Sequence, residues 1–195
     1  MTAHTLTALG NDIFLIKDAL EPAVCKQMIE TAMCHGFDSA GILINQVNNQ
    51  VRNSDLLELG HSNPLLASAN ELLHSKLGIV QKLLYQEYGI KFLYAEPCSI
   101  LRYKEGQFYK RHVDNILLAN RFQELEHGIP TRDISVVGYL NDDFEGGETY
   151  FDRQDVRVKP IAGAILVFPA YFSHPHQSLP VTQGQKYAFT SWLFR

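Results

Sequence analysis

The stretch RYKEGQFYKRHVDN, residues 102–115, decides how the rest of the chain is read. Aromatic and β-branched residues mark 108–113 as an extended strand. In a strand, residues two apart point to the same face, so His112 and Asp114 aim an imidazole and a carboxylate at one point. These are two members of the two-imidazole, one-carboxylate facial triad, which holds non-haem Fe(II) with coordination positions left open. A surface strand carrying two polar side chains has the same local pattern. The third ligand must therefore come from elsewhere in the chain.

Outward from this stretch, short candidate strands recur at 90–103, 133–141, 148–151, 156–159, 164–168, 174–179 and 186–194. Such spacing predicts a β-sandwich or barrel. The connection DDFEGG, 142–147, is a turn whose two glycines can take positive φ. It has no phosphate-loop character, since neither a Lys-Ser/Thr pair nor a helix follows. Residues 115–132 form a polar, helix-compatible insertion, placed where a lid would sit.

The first half is mainly helical in pattern. Residues 12–17 read as a strand. Asp18 followed by Glu21 has capping-box spacing, with Leu20, Val24, Met28 and Ala32 on one apolar face and Gly36 as the stop. A further strand is expected at 41–50, then a polar connection at Asn53, Ser54 and Asp55. Asn63-Pro64 opens a second helical region that runs to Gly89, with Gly78 dividing it. His35, His61 and His74 read as surface or cap residues. One domain is expected, with helical support over about 18–89 covering a β core over about 90–195.

Composition narrows the function. The chain has 195 residues, 46% of them hydrophobic, with a net charge of -4. That balance speaks against a nucleic-acid or anionic-membrane binder. Cys25, Cys34 and Cys98 are too few and too scattered for a disulfide framework or a Cys-rich zinc site, and they suit a reducing cytoplasm. The start, MTAHTLTALGND, has neither a basic segment nor an apolar run, so no signal peptide is expected. No membrane association is expected either, as no apolar stretch is long enough to span a bilayer. Oligomeric state leaves no mark in the sequence.

A third ligand is offered by LVFPAYFSHPHQSLPVTQGQKYAFTSWLF, 166–194. His174 and His176 flank Pro175, and strand parity does not separate them. Here a resemblance enters. HVDN (112–115), GYLNDDFEGGETYF (138–151), GAILVFP (163–169) and HQSLPVTQGQKYAFTSW (176–192) resemble, in this order, the Fe(II)- and 2-oxoglutarate-dependent dioxygenases of the prolyl 4-hydroxylase type. The resemblance spans residues 94–192. In that family the ligand histidine precedes a proline by four residues and a basic residue by nine or ten. His176 meets both conditions, through Pro180 and Lys186, and His174 meets neither.

The resemblance implies His112, Asp114 and His176 as iron ligands, with His174 in support. It implies Lys186 as the partner of the far carboxylate of 2-oxoglutarate, with Tyr139 and Tyr103 beside it. Trp192, Arg111 and Asn115 are the candidate substrate contacts. The implied fold is a double-stranded β-helix, a jelly roll of cupin type with N-terminal helices outside. The implied cofactors are Fe(II), 2-oxoglutarate and O2, with ascorbate as an accessory reductant. The implied reaction yields succinate and CO2 while hydroxylating an unactivated C–H bond. Retention of the Asp114 carboxylate favours hydroxylation over halogenation.

A prolyl residue in a protein or peptide is the expected substrate, with a free amino acid or small metabolite as the alternative. A divalent-metal hydrolase or isomerase would have no use for Lys186 and Tyr139. A jelly-roll binding module without oxygenase activity would have no need of an intact triad.

Overall fold

The computed structural model describes residues 4–41, 48–60, 63–115, 126 and 130–195. In chain order the elements are β1 (Thr7–Gly10), β2 (Ile13–Ile16), α1 (Pro22–His35), β3 (Asp38–Ser39), β4 (Arg52–Asn53), β5 (Asp55–Glu58) and α2 (Pro64–Tyr88). Then follow β6 (Tyr94–Ala95), β7 (Ser99–Tyr103), β8 (Phe108–His112), β9 (Ile134–Tyr139), β10 (Glu145–Gly146), β11 (Thr149–Phe151) and β12 (Val156–Val158). The last are β13 (Ile165–Pro169), β14 (His176–Ser178), β15 (Val181–Gln183) and β16 (Lys186–Phe194).

The strands form a large sheet in the order β1-β2-β13-β9-β16-β7-β5-β3, with β6 on the end of β16. A smaller sheet runs β12-β11-β14-β8-β4, and β10 pairs with β15. One core cluster joins α1 and α2 to the large sheet through Met28, Leu73, Leu77, Ile100, Val136 and Phe189. A second joins the large sheet to the small one through Tyr139, Phe151, Val158, Leu166 and Phe168. The large sheet is therefore covered by helices on one face and by the small sheet on the other. That is the double-stranded β-helix implied by the family resemblance.

Strand β16 shows how alternation builds this. Tyr187, Phe189 and Leu193 enter the helix-side core. Lys186, Ala188, Thr190 and Trp192, on the opposite parity, line a cleft between the sheets. Phe189 pairs in register with Gly138 on β9. A Cβ at Gly138 would lie 1.9 Å from a Phe189 ring carbon, so this position must be glycine for the ring to fit.

Several boundaries differ from expectation. α1 begins at Pro22 with Glu21 as N-cap, and Asp18 sits in a turn at φ 53. Proline is preorganised for the first helical position, and that preference outweighs the capping-box spacing. Asn63 caps α2 by accepting from the Leu65 N–H at 2.9 Å, and left-handed Gly89 ends it, as the sequence suggests. Gly78 does not divide this helix. Its penalty is ~1 kcal/mol relative to alanine. Burial of Leu73, Leu77, Val80 and Leu84 on one face exceeds it, at ~1.5–3 kcal/mol per side chain.

The expected connection at 53–55 instead joins β4 to β5, because Asp55 pairs across the ladder with Arg102, at 2.6 Å. The strand expected over 90–103 is two strands, β6 and β7, parted near Pro97, which has no N–H for a ladder. His35 and His74 bond to the carbonyls of Thr31 and Glu96, a structural role. His61 and most of the expected segments 41–50 and 115–132 lie outside the described residues.

Candidate active site

His112 ends β8 and His176 begins β14, and the two are direct partners in the antiparallel ladder. Asp114 lies beyond the end of β8, in a bend, so strand alternation is not what aims it. Hydrogen bonds from described residues hold that bend instead. Asn115 N–H donates to the Ala170 carbonyl at 2.8 Å, and Arg132 Nη1 donates to the Asp114 carbonyl at 3.2 Å. The Ser135 hydroxyl donates to Asp114 Oδ2 at 2.7 Å. His112 Nε2 then lies 3.3 Å from Asp114 Oδ1, and His176 Nε2 lies 3.7 Å from Asp114 Oδ2. One donor atom from each residue falls within 4.8 Å of the other two.

The second nitrogen of each imidazole is already engaged. His112 Nδ1 donates to the Lys110 carbonyl at 2.8 Å, and His176 Nδ1 donates to the His174 carbonyl at 3.2 Å. Each bond leaves Nε2 as the lone-pair nitrogen toward the shared point. Tyr109 stacks on the His112 ring at 3.5 Å between centroids, and Phe168 meets the His176 ring edge-on at 4.6 Å. Burial acts to raise the Asp114 pKa, but the His176 and His112 rings and the Ser135 hydroxyl outweigh it, holding this carboxyl well below its usual range. Burial, reinforced by His112, pushes His176 down to about 4. A carboxylate and a buried neutral imidazole, with His112 as the third donor, fit a divalent iron ion.

His174 does not join them. Its ring lies between the Asn11 carbonyl, at 2.6 Å, and the Ser173 hydroxyl, at 2.9 Å.

Lys186 is 2% exposed. Its Nζ donates to the Gly147 carbonyl at 2.6 Å and the Ser178 hydroxyl at 3.1 Å, both neutral acceptors. The Tyr103 and Tyr139 rings stand 5.1 and 5.6 Å from it. Burial, only partly offset by Glu148, pushes its pKa down to about 7. A buried amine with neutral acceptors has room for an anionic partner, so the residues present fit a dianionic cosubstrate. The Tyr139 hydroxyl is bonded to Thr149 at 2.9 Å, and it is Thr149 that reaches the cleft wall. Burial raises the pKa of both phenols.

The cleft has a volume of about 1210 Å³. The triad, Lys186, Tyr103, Trp192, Arg111 and Asn115 all line it. Trp192 carries the Arg132 guanidinium 3.6 Å above its ring, and Arg132 is paired with both oxygens of Glu96. Arg111 is exposed and bonded to Asp152 at 2.8 Å. Arg102 and Lys104 both pair with Asp55, so they are committed to structure.

The sequence alone did not mark Tyr109, Arg132, Glu96, Ser135 or Ser178. Ser178 carried a usable signal, since it lies two residues from His176 and so shares its face. Arg132, Glu96 and Ser135 carried none, because their partners are distant in the chain.

The sequence model of the 2OG-Fe(II) oxygenase superfamily matches residues 98–194. A protein of Acanthamoeba polyphaga mimivirus, predicted to be a prolyl 4-hydroxylase, is 26% identical over 193 residues, covering 94% of this chain and 74% of its own length. Prolyl 3-hydroxylase 2 of Rattus norvegicus is 37% identical over 90 residues, which is 42% of this chain and 13% of that protein. A solved prolyl hydroxylase from Trichoplax adhaerens, in complex with a hypoxia inducible factor oxygen degradation domain peptide fragment, shares the fold with a TM-score of 0.71 at 20% identity, over 94% of this chain and 84% of its own. The chain belongs to the Fe(II)- and 2-oxoglutarate-dependent oxygenase superfamily, in its prolyl 4-hydroxylase-type branch.

Proposed function

We propose that the protein hydroxylates a prolyl residue within a peptide or protein. His112, Asp114 and His176 hold Fe(II) through Nε2, a carboxylate oxygen and Nε2. Lys186 takes the far carboxylate of 2-oxoglutarate, with Ser178 beside it and Tyr103 and Tyr139 flanking its ammonium. Bound there, iron with 2-oxoglutarate and O2 supplies oxidative decarboxylation coupled to C–H hydroxylation. The chain's own share is position. Ser135 fixes the Asp114 carboxylate, and the Lys110 and His174 carbonyls fix the imidazole tautomers. Trp192 and Arg132 shape the wall where a substrate would lie, and Asn115 and Arg111 border it.

The cleft carries the choice of a peptide over a free amino acid. It continues past the triad along β7 and β5 to Asp38 and Glu58. Pockets for small ligands are typically about 300–1,000 Å³, and this one exceeds that range. An extended chain uses such a length, and a lone amino acid does not. The mimivirus and Trichoplax relatives support the same choice. Three unpaired cysteines suit a reducing compartment, and we place the protein in the cytoplasm.

The test is succinate release from 2-oxoglutarate over a panel of proline-containing peptides and free amino acids, with ascorbate present and omitted. Peptide-dependent succinate with one oxygen added to proline is expected. Turnover confined to free amino acids would replace this substrate with a small one.

A further inference from the structure

His174 is buried, 6% exposed, and takes no part in the triad. Its ring is fully used. Nε2–H donates to the Asn11 carbonyl and Nδ1 accepts from the Ser173 hydroxyl, so a single neutral tautomer satisfies both bonds. Asn11 is in the tight turn of the β1–β2 hairpin, at φ 49 and followed by Asp12 at φ 61. That hairpin lies outside the segment matched by the superfamily model. It is anchored to the large sheet, since β2 pairs with β13.

The other end of this link is the metal centre. The His174 carbonyl accepts from His176 Nδ1 at 3.2 Å. Four residues earlier, the Ala170 carbonyl accepts from Asn115 N–H, next to Asp114. The turn from 170 to 174 therefore touches the segments carrying two of the three ligands. Gln154 holds it from a second side, donating to the Ser173 carbonyl at 2.8 Å. The β1–β2 hairpin holds it from the first side, through His174.

We propose that His174 is a positioning residue for the iron site: its imidazole pins the 170–174 turn to the N-terminal hairpin, and its backbone carbonyl thereby fixes the His176 ring. This rests on the assignment of His112, Asp114 and His176 as the metal ligands. Groups that orient a metal-ligating histidine typically change metal affinity by 10–100-fold when lost. Here the carbonyl itself remains and only its anchor is removed, so the lower end is expected.

The experiment titrates Co(II) into the full chain by calorimetry and visible absorption, with no cosubstrate or turnover required. His174→Phe keeps an aromatic ring but loses both bonds, and Co(II) affinity should fall about tenfold with an altered ligand-field spectrum. His174→Gln retains a donor that can reach Asn11 and should stay within about threefold of the parent. Tyr88→Phe is the control. It removes the Tyr88–Asp12 bond at 2.8 Å, while the β2–β13 pairing still holds Asn11 against His174. It should lower Tm but leave the Co(II) affinity and spectrum in place. If His174→Phe does not fold, His174→Asn, which is too short to reach Asn11, takes its place with the same expected loss. Parental affinity in His174→Phe or His174→Asn, a His174→Gln as weak as His174→Phe, or an equal loss in Tyr88→Phe overturns the proposal. Failure of the parent chain to bind Co(II) would instead overturn the ligand assignment.

Discussion

His112 and His176 are opposite one another on β8 and β14, paired residue to residue in one antiparallel ladder. The ladder therefore sets the spacing of the two imidazoles, and the carboxylate is brought to them by a bend. Backbone pairing is rigid, so removing one imidazole leaves the rest of the site in place. His176→Ala should abolish tight Mn(II) or Fe(II) binding, measured by calorimetry, in a chain that still folds. Tight binding retained by that variant would mean the C-terminal segment is misassigned, and Lys186 with it.

Lys186→Ala should keep the metal and lose the cosubstrate. The missing charge-assisted bond is worth roughly 1.5–3 kcal/mol, or about one to two decades in 2-oxoglutarate affinity. Lys186→Arg should recover only part of it, because the longer, planar guanidinium must fit between Gly147 and Ser178. Parental 2-oxoglutarate affinity in the alanine variant would remove Lys186 from the pocket.

On the proposed assignment, the low pKa of Lys186, about 7, should make cosubstrate binding proton-linked. The unfolded-state value is about 10.4, so between about pH 7 and 10.4 the unfolded chain binds more protons than the cosubstrate-free fold. Across that window the lysine's contribution to stability improves as pH rises, and its penalty is fully present below the window. A dianion beside Nζ restores the charged form. Binding at about pH 8 should take up a proton, and affinity should weaken as pH rises from about 7 to 9. Calorimetry in buffers of different ionisation enthalpy would detect the uptake, and Lys186→Arg should abolish it. Equal heats in every buffer would show that the ammonium is already charged.

Gly138→Ala should destabilise the fold by about 1–3 kcal/mol, as over-packing does in a dense core. The new methyl would fall 1.9 Å from the Phe189 ring on the helix-facing side of β16. The urea midpoint should drop with an unchanged slope. Gly138→Ala combined with Phe189→Leu should recover part of the loss. A parental midpoint in the single variant would contradict the packing described.

The fold was legible where one periodicity runs long. β16 was expected at 186–194 and is found there, because its apolar parity faces the helices for its whole length. α2 starts at Asn63-Pro64 and ends at Gly89 for local reasons that the sequence shows. β3, β4 and β10 are two residues long, so no period can reveal them. The site divides in the same way. His112 and His176 belong to strands whose pattern is local. Asp114 is aimed by Ser135 and Arg132, which the local pattern does not connect to it. Lys186 looks like a solvated strand end from periodicity alone, and the resemblance to a known family identified it. Its burial is produced by Gly147 and Ser178, which fold over it from other elements.

The proposed function requires one cleft to hold Fe(II) on His112, Asp114 and His176 and 2-oxoglutarate on Lys186. The most direct measurement is the visible absorption of the anaerobic protein on adding Fe(II) and 2-oxoglutarate together. A weak metal-to-ligand charge-transfer band is predicted for the parent chain. It should be lost in His176→Ala and should need much more 2-oxoglutarate in Lys186→Ala. Fully metallated parent protein with no band at saturating 2-oxoglutarate would contradict it.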